Sequence, residues 1–177
     1  MSRRGRIRVG GIAVGTLCAA LLLPVPPAYA SAPGLSISEP PARSLGSFTA
    51  GARTITANLG TVTVSTGSTL AHNAGWTATV SATDFTTGTG TSPERVAASA
   101  VTYRSGTPTA SSGFGAGACV PGQVTPISLS SSRTAFSCTG ISLGPTTSVS
   151  WNPEITIVLA TTNIVGTYSG TVTHTVV

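Results

Sequence analysis

The chain of 177 residues carries a net charge of +5, although charged side chains make up only 7% of it. Four of its nine basic residues lie within the first eight positions, and the other five are arginines scattered among four acidic residues. Nucleic-acid binding needs a clustered basic face. This class of function is therefore excluded.

The N-terminus has the pattern of a cleavable leader. A group of arginines precedes an apolar stretch from Val9 to Leu23, and the small-residue sequence Ala28-Tyr29-Ala30 follows. An apolar stretch of this length is short for a bilayer span. The pattern predicts a signal peptide over residues 1–30, cleaved between Ala30 and Ser31, and no membrane span in the mature chain. The arginine pair near the start leaves the twin-arginine export route open beside general secretion.

Residues 31–177 are predicted to form a single domain. Their low charge and abundant Thr and Val favour strands over helices. They contain two of the three cysteines, Cys119 and Cys138, and such a pair in an exported chain predicts a disulfide. On the chain-entropy model, closing this loop stabilises the fold by about 3 kcal/mol.

Short runs of alternating apolar and polar residues follow one another along this domain. The clearest runs place on one face Ile55, Ala57 and Leu59; Val62 and Val64; Trp76, Ala78 and Val80; Val101 and Tyr103; and Ile155, Ile157 and Leu159. Weaker runs lie near 35–37, 127–129 and 135–138, whereas 86–95 and 105–123 are rich in small residues and are expected to be long loops. No helical period extends over eleven residues. The pattern predicts an all-β fold, a single antiparallel, Ig-like β-sandwich of about six to nine short strands.

Residues that could support catalysis are few. The two histidines are His72, in a predicted turn, and His174, near the C-terminus. Asp84 is expected to stabilise a turn, and nothing in the spacing of Asp84, Glu94 and Glu154 brings two carboxylates together. A zinc site needs three or four Cys or His ligands. We therefore expect no enzymatic activity, no cofactor and no metal.

Aromatic side chains are the remaining candidate binding groups. Trp76 is predicted to lie in the core because it alternates with apolar residues. Trp151 precedes the run 154–160, and two alternatives remain open for its ring: exposure with a possible ligand contact, or packing over the end of the sandwich. Alternation on the last strand places Tyr168 and His174 on its apolar side. We expect His174 to be partly buried beside Tyr168 and to tolerate replacement by Phe.

Four segments in this order are similar to a known family. They are LGTVTVSTG (59–67), GWTATVSATDF (75–85), WNPEITIVLA (151–160) and VGTYSGTVTHTVV (165–177). The arrangement resembles the WxL-type surface domain of Gram-positive bacteria, above all divergent forms in secreted actinobacterial proteins. The first Trp-x-Leu motif of the family corresponds to Trp76-Thr77-Ala78. The second follows the intact Gly166-Thr167-Tyr168 and corresponds to His174-Thr175-Val176.

The resemblance implies an extracellular β-sandwich with no catalytic role. Its partner would be cell-wall peptidoglycan or another surface protein, and the absence of a sortase motif before Val177 makes the expected association noncovalent. The alternative is a carbohydrate-binding module that uses Trp151 and neighbouring loops.

Overall fold

The structure is a computed structural model that describes residues 3–14, 30–32, 34–48, 53–67, 75–113, 118–139 and 146–177. These residues form β-strands with short connections, and two single-turn 3₁₀ helices lie at Ser92–Glu94 and Ala98–Ala100. The predicted all-β class is confirmed. None of the helices in these ranges has the length and apolar character that crossing a membrane requires.

The described residues contain eighteen strand segments. In chain order they are β1 (Arg3–Val14), β2 (Ala30–Ala32), β3 (Leu35–Ser38), β4 (Ala42–Ser44), β5 (Ser47–Phe48), β6 (Thr54–Asn58), β7 (Val62–Thr66), β8 (Trp76–Ala82), β9 (Phe85–Thr86), β10 (Arg95–Val96), β11 (Val101–Arg104), β12 (Pro108–Ser112), β13 (Cys119–Pro121), β14 (Ile127–Ser128), β15 (Arg133–Cys138), β16 (Thr147–Trp151), β17 (Glu154–Val158) and β18 (Thr167–Val176). Several span only two or three residues, which is too short for alternation to predict them.

The strands form three sheets that pack together. In sheet 1 the pairing order is β10-β9-β18-β8-β15-β13, where β8 and β9 follow one another along the same edge of β18. Strand β1 pairs with the opposite edge of β18, and β4 and β5 pair with β1. Sheet 2 has the order β14-β11-β17-β6, and sheet 3 has the order β12-β16-β7-β3-β2. The described pairings are antiparallel except those of β1 with β4 and with β5.

The inner faces of the sheets share one apolar core. Every alternating series that predicted a strand contributes to it, and its largest fully buried side chains are Trp151, Tyr103, Tyr168, Phe85 and Phe136. Burying a large apolar side chain stabilises a fold by roughly 1.5–3 kcal/mol. The predicted core faces of β6, β7, β8, β11 and β17 are therefore confirmed.

The segment 105–123 is not the continuous loop that its composition predicted. It contains β12, which is exposed along its whole length and pairs with β16, and β13, which pairs with β15. Because β12 is an edge strand held by backbone hydrogen bonds, its side chains carry no alternation. The segment 86–95 does form a loop, with one 3₁₀ turn between two-residue strands.

Strand β1 lies within the predicted signal peptide. In the full chain it pairs antiparallel with β18, from Arg3 opposite Val176 to Ala13 opposite Thr167. The predicted cleavage point after Ala30 falls at the start of β2. The removal of residues 1–30 stays a prediction.

Candidate functional site

Four polar side chains meet in the core and form one chain of hydrogen bonds. Nδ1 of His174 lies 3.0 Å from Oε2 of Glu39, and its Nε2 lies 3.1 Å from the hydroxyl of Tyr103. The indole Nε1 of Trp151 donates to the same hydroxyl over 3.2 Å. We call these four residues the core polar network.

Each of the three sheets supplies one member of the core polar network. Alternation along β18, β11 and β16 turns His174, Tyr103 and Trp151 inward. Glu39 comes from the connection between β3 and β4. Because hydrogen bonds need defined distances and angles, the network favours one relative position of the sheets, which apolar contacts alone would specify less sharply.

One direction of donation satisfies the chain of bonds. An indole N–H can only donate, so Tyr103 accepts from Trp151 and is free to donate its own proton to Nε2 of His174. The imidazole then carries its proton on Nδ1 and donates it to the carboxylate of Glu39. This arrangement uses the neutral imidazole, and it pairs one oxygen of Glu39.

The core polar network is shielded from solvent. His174 and Tyr103 are fully buried, and the side chain of Glu39 is 5% exposed. Burial raises the pKa of the Tyr103 phenol, which therefore keeps its proton. Trp151 stacks on Phe136 with ring centroids 4.8 Å apart. The second carboxylate oxygen of Glu39, Oε1, is buried without a hydrogen-bond partner among the described residues.

The order carboxylate, imidazole, hydroxyl resembles that of a hydrolase triad. A nucleophile must also contact the reacting atom of a substrate, whereas the hydroxyl here belongs to a fully buried phenol. The hydrogen bonds between these side chains cross from one sheet to another, and each needs a defined distance and angle. We assign these four residues the role of fixing the three sheets relative to one another.

The structure decides between the two alternatives for Trp151. Its ring is fully buried rather than exposed. The run Thr147-Ser148-Val149-Ser150-Trp151 forms β16, in which Val149 and Trp151 both face the core. Because one Val is its only aliphatic residue, apolar alternation does not predict this strand. A ligand contact through an exposed Trp151 ring is therefore wrong.

His174 lies on the predicted face of β18 but with different neighbours. It is fully buried, and the rings beside it are Tyr103 and Trp151, with centroids 5.7 and 6.1 Å away. The expected packing against Tyr168 is wrong because His174 lies six positions further along the same extended strand, about 20 Å away at 3.3 Å per residue. The hydroxyl of Tyr168 lies instead 2.8 Å from the carbonyl oxygen of Ile164.

The other predicted structural residues lie where alternation and pairing placed them. Trp76 is 4% exposed and packs in the core, and its Nε1 has no hydrogen-bond partner among the described residues. Cys119 and Cys138 face each other on β13 and β15 and form the predicted disulfide.

Asp84 and Glu154 each have a basic partner of their own. Asp84 accepts hydrogen bonds from the backbone N–H of Ala98 over 2.7 Å and from Arg95, and the first of these is the main cause that lowers its pKa. It therefore ties together the segment 84–98. Glu154 pairs across strands with Arg104 at 3.3 Å.

Glu94 organises the loop that precedes it. Its Oε2 accepts hydrogen bonds from the backbone N–H and the hydroxyl of both Thr89 and Thr91, over 2.8 to 3.1 Å. The hydroxyl of Thr91 is the largest of the causes that lower the pKa of Glu94 to about 2. Gly88 has a φ of +51°, and a Cβ there would collide with this carboxylate. The loop therefore needs glycine at 88.

The described residues contain no group of three or more His, Cys, Asp and Glu side chains that could hold a metal ion. His72, the other predicted histidine, lies outside the described residues.

Glu39 is the member of the core polar network that sequence reasoning missed. It lies in Ser38-Glu39-Pro40-Pro41, where an acid beside prolines is typical of an exposed turn, and 135 residues separate it from His174. No local pattern marks such a residue as buried.

Comparison with known proteins returns no match: no family model, no curated protein and no solved structure resembles the chain at a significant level. The similarity to the WxL-type domain therefore stays a prediction.

Proposed function

We propose that the mature chain is a noncatalytic exported domain that associates noncovalently with cell-wall glycan or with a partner surface protein. The leader pattern and the disulfide support export, because disulfides persist in oxidising compartments. The observation that carries the binding role is the outward face of sheet 3, which we call the hydroxyl face.

The hydroxyl face consists of two rows of small side chains that cross four strands. Strand pairing aligns Ser112, Ser148, Ser65 and Ser36 in one row, and Ala110, Ser150, Thr63 and Ser38 in the other. Neighbouring strands lie about 4.8 Å apart, and residues two apart on one strand lie about 6.8 Å apart. Seven of these eight side chains are hydroxyls, and none is charged.

A hydroxyl both donates and accepts hydrogen bonds, as do the hydroxyl and amide groups of wall glycans. A single hydrogen bond contributes only about 0.5–1.5 kcal/mol net. A face of this kind therefore binds appreciably only when many contacts form at once, which favours a polymer over a small ligand. Because the face is uncharged, its binding should depend little on salt.

Sedimentation with insoluble peptidoglycan tests the proposal. Thr63→Glu places a charge in the middle of the hydroxyl face, where Thr63 bonds Ser150 over 2.8 Å. Thr56→Glu is the matched control, since Thr56 bonds Thr156 over 2.8 Å on sheet 2. We expect Thr63→Glu to lower the bound fraction at least fivefold and Thr56→Glu to leave it unchanged, with both variants folded by circular dichroism.

Two results would count against this assignment. Equal loss in both variants would place binding elsewhere or show it to be nonspecific. A wild-type chain that neither sediments with peptidoglycan nor fractionates with the wall in culture would exclude the glycan as its partner.

A further inference from the structure

The outer edge of β18 depends on a strand that the mature chain is expected to lack. On one side β18 pairs with β8 and β9, and on the other side its described partner is β1. Strand β1 spans Arg3–Val14, all within the predicted leader. Cleavage after Ala30 would therefore remove the partner of a ten-residue strand.

Without β1, the outer edge of β18 would present unpaired backbone N–H and C=O groups that can pair with another chain. Strand β18 reads Thr-Tyr-Ser-Gly-Thr-Val-Thr-His-Thr-Val and has no Lys, Arg, Asp, Glu or Pro. Natural proteins use such residues, bulges or covering segments to keep edge strands from pairing with other chains. Since β18 has no charge or proline of its own, we expect another segment to cover it.

A covering segment already lies one strand further out. Arg8 of β1 pairs with Thr171 on one side and with Ala42 of β4 on the other. The segment Ala42–Phe48 runs parallel to β1 and hence antiparallel to β18. It therefore has the orientation that an antiparallel partner of β18 needs, one strand spacing of about 4.8 Å away.

Two contacts hold this segment near β18. Just before it, Glu39 is bonded to His174 of β18 itself. Within it, Leu45 is 6% exposed and belongs to the apolar core. With Ala42 opposite Thr171, Leu45 falls opposite Tyr168, whose side chain also faces the core. A shift by one strand position thus keeps Leu45 on the core side of the sheet.

We propose that, once the leader is removed, Ala42–Phe48 takes the place of β1 along Thr167–Thr171, the first half of β18, and pairs antiparallel with it, with Ala42 opposite Thr171. This inference rests on the leader cleavage in the proposed function. The leader strand then occupies this position only until cleavage, and the mature chain's own residues cover the first half of β18 afterwards.

Disulfide trapping tests the register. Thr171 directs its backbone groups toward Thr83, so on the outer side it forms a non-hydrogen-bonded pair, with Cα atoms about 4.5 Å apart. Ala42→Cys with Thr171→Cys should cross-link in the chain 31–177. In the full-length chain carrying Cys18→Ser, two strand spacings of about 9.6 Å separate these positions, which exceeds disulfide reach. The control pair, Ala42→Cys with Thr173→Cys, is out of register in both chains.

Amide exchange gives an independent measure. Thr171 directs its backbone groups toward Thr83, so Gly170 and Tyr168, one and three positions before it, direct theirs to the outer edge that Ala42–Phe48 would cover. In the chain 31–177 we expect their amide protons to be protected at a level that does not depend on protein concentration.

The proposal is overturned if the in-register pair fails to cross-link in 31–177, or if it cross-links equally in the full-length chain. It is also overturned if the outer-edge amides exchange freely, or if their protection appears only with dimer formation, which would indicate a second copy on the edge. Determining the N-terminal residue of the exported protein distinguishes failure of this inference from failure of the proposed function. A chain that begins at Ser31 but fails the cross-linking test contradicts this inference alone.

Discussion

Glu39 and His174 form a buried pair, with Oε2 and Nδ1 3.0 Å apart and side chains 5% and 0% exposed. The pair joins the connection after β3 to the last strand of the chain. Because the pair is buried, water cannot replace the imidazole as the hydrogen-bond partner of the Glu39 carboxylate when His174 is substituted.

His174→Phe should lower the free energy of unfolding by about 3 kcal/mol, since the buried Glu39 carboxylate loses the N–H of Nδ1 as its hydrogen-bond partner. The alternation pattern alone predicted that Phe would be tolerated, and the structure supplies the reason to expect otherwise. Urea unfolding of the purified domain measures the loss.

The double variant His174→Phe, Glu39→Leu provides the control. Replacing both partners by apolar groups removes the unpaired carboxylate, so most of the lost stability should return. If the double variant were no more stable than His174→Phe, the loss would come from packing of the ring instead of from Glu39.

The exported protein should begin at Ser31 and contain the Cys119–Cys138 disulfide. Its intact mass under nonreducing conditions should lie two hydrogens below that of the reduced chain. Reduction should destabilise the fold by about 3 kcal/mol on the chain-entropy model. Two alkylatable thiols in the native exported protein would contradict this prediction.

Trp76→Ala should cost about 3–5 kcal/mol because it opens a cavity in the core. Trp76→Phe should cost less than half as much, since it keeps most of the ring volume and removes an N–H that has no partner among the described residues. Thermal melts compare the two. Val158→Ala is the control, because Val158 is 44% exposed, and its melting temperature should stay within about two degrees of wild type. Equal losses for Ala and Phe would mean that the volume of the ring contributes little at this position, which would contradict its placement in the core.

Glu94 should make stability depend on pH in the acid range. Its pKa falls from the ordinary value of 4.5 to about 2 in the folded chain, so the folded state favours the charged carboxylate. The stabilisation is therefore fully present above pH 4.5 and is lost as the pH falls from 4.5 toward 2. The urea midpoints of wild type and Glu94→Gln should differ at pH 7 and converge near pH 2.

Thr91→Ala removes the hydroxyl that contributes most to lowering the pKa of Glu94. The pKa of Glu94 should therefore rise toward its ordinary value, and stability should depend less on pH in the acid range. A constant difference between wild type and Glu94→Gln from pH 7 to pH 2 would show that the carboxylate makes no such bonds in solution.

The sequence by itself determined the fold class and the inward side of most strands. Alternation in the runs around Ile55, Trp76 and Ile155 is a property of each extended segment alone, so no knowledge of its neighbours was needed. The same holds for His174, whose side of β18 was predicted correctly. The disulfide was likewise predictable from the sequence, because residues 31–177 contain only two cysteines.

Only the tertiary structure decided which residues meet. Glu39 and His174 become neighbours because the fold brings β3 and β18 together. A single polar residue forms no periodic pattern in the sequence, so this contact could not be predicted. Trp151 was ambiguous for a related reason, since its strand has little apolar character and owes its position to pairing with β7 and β12. Side-chain alternation is local, whereas strand pairing depends on the packing of the whole chain, and the core polar network arises from the pairing.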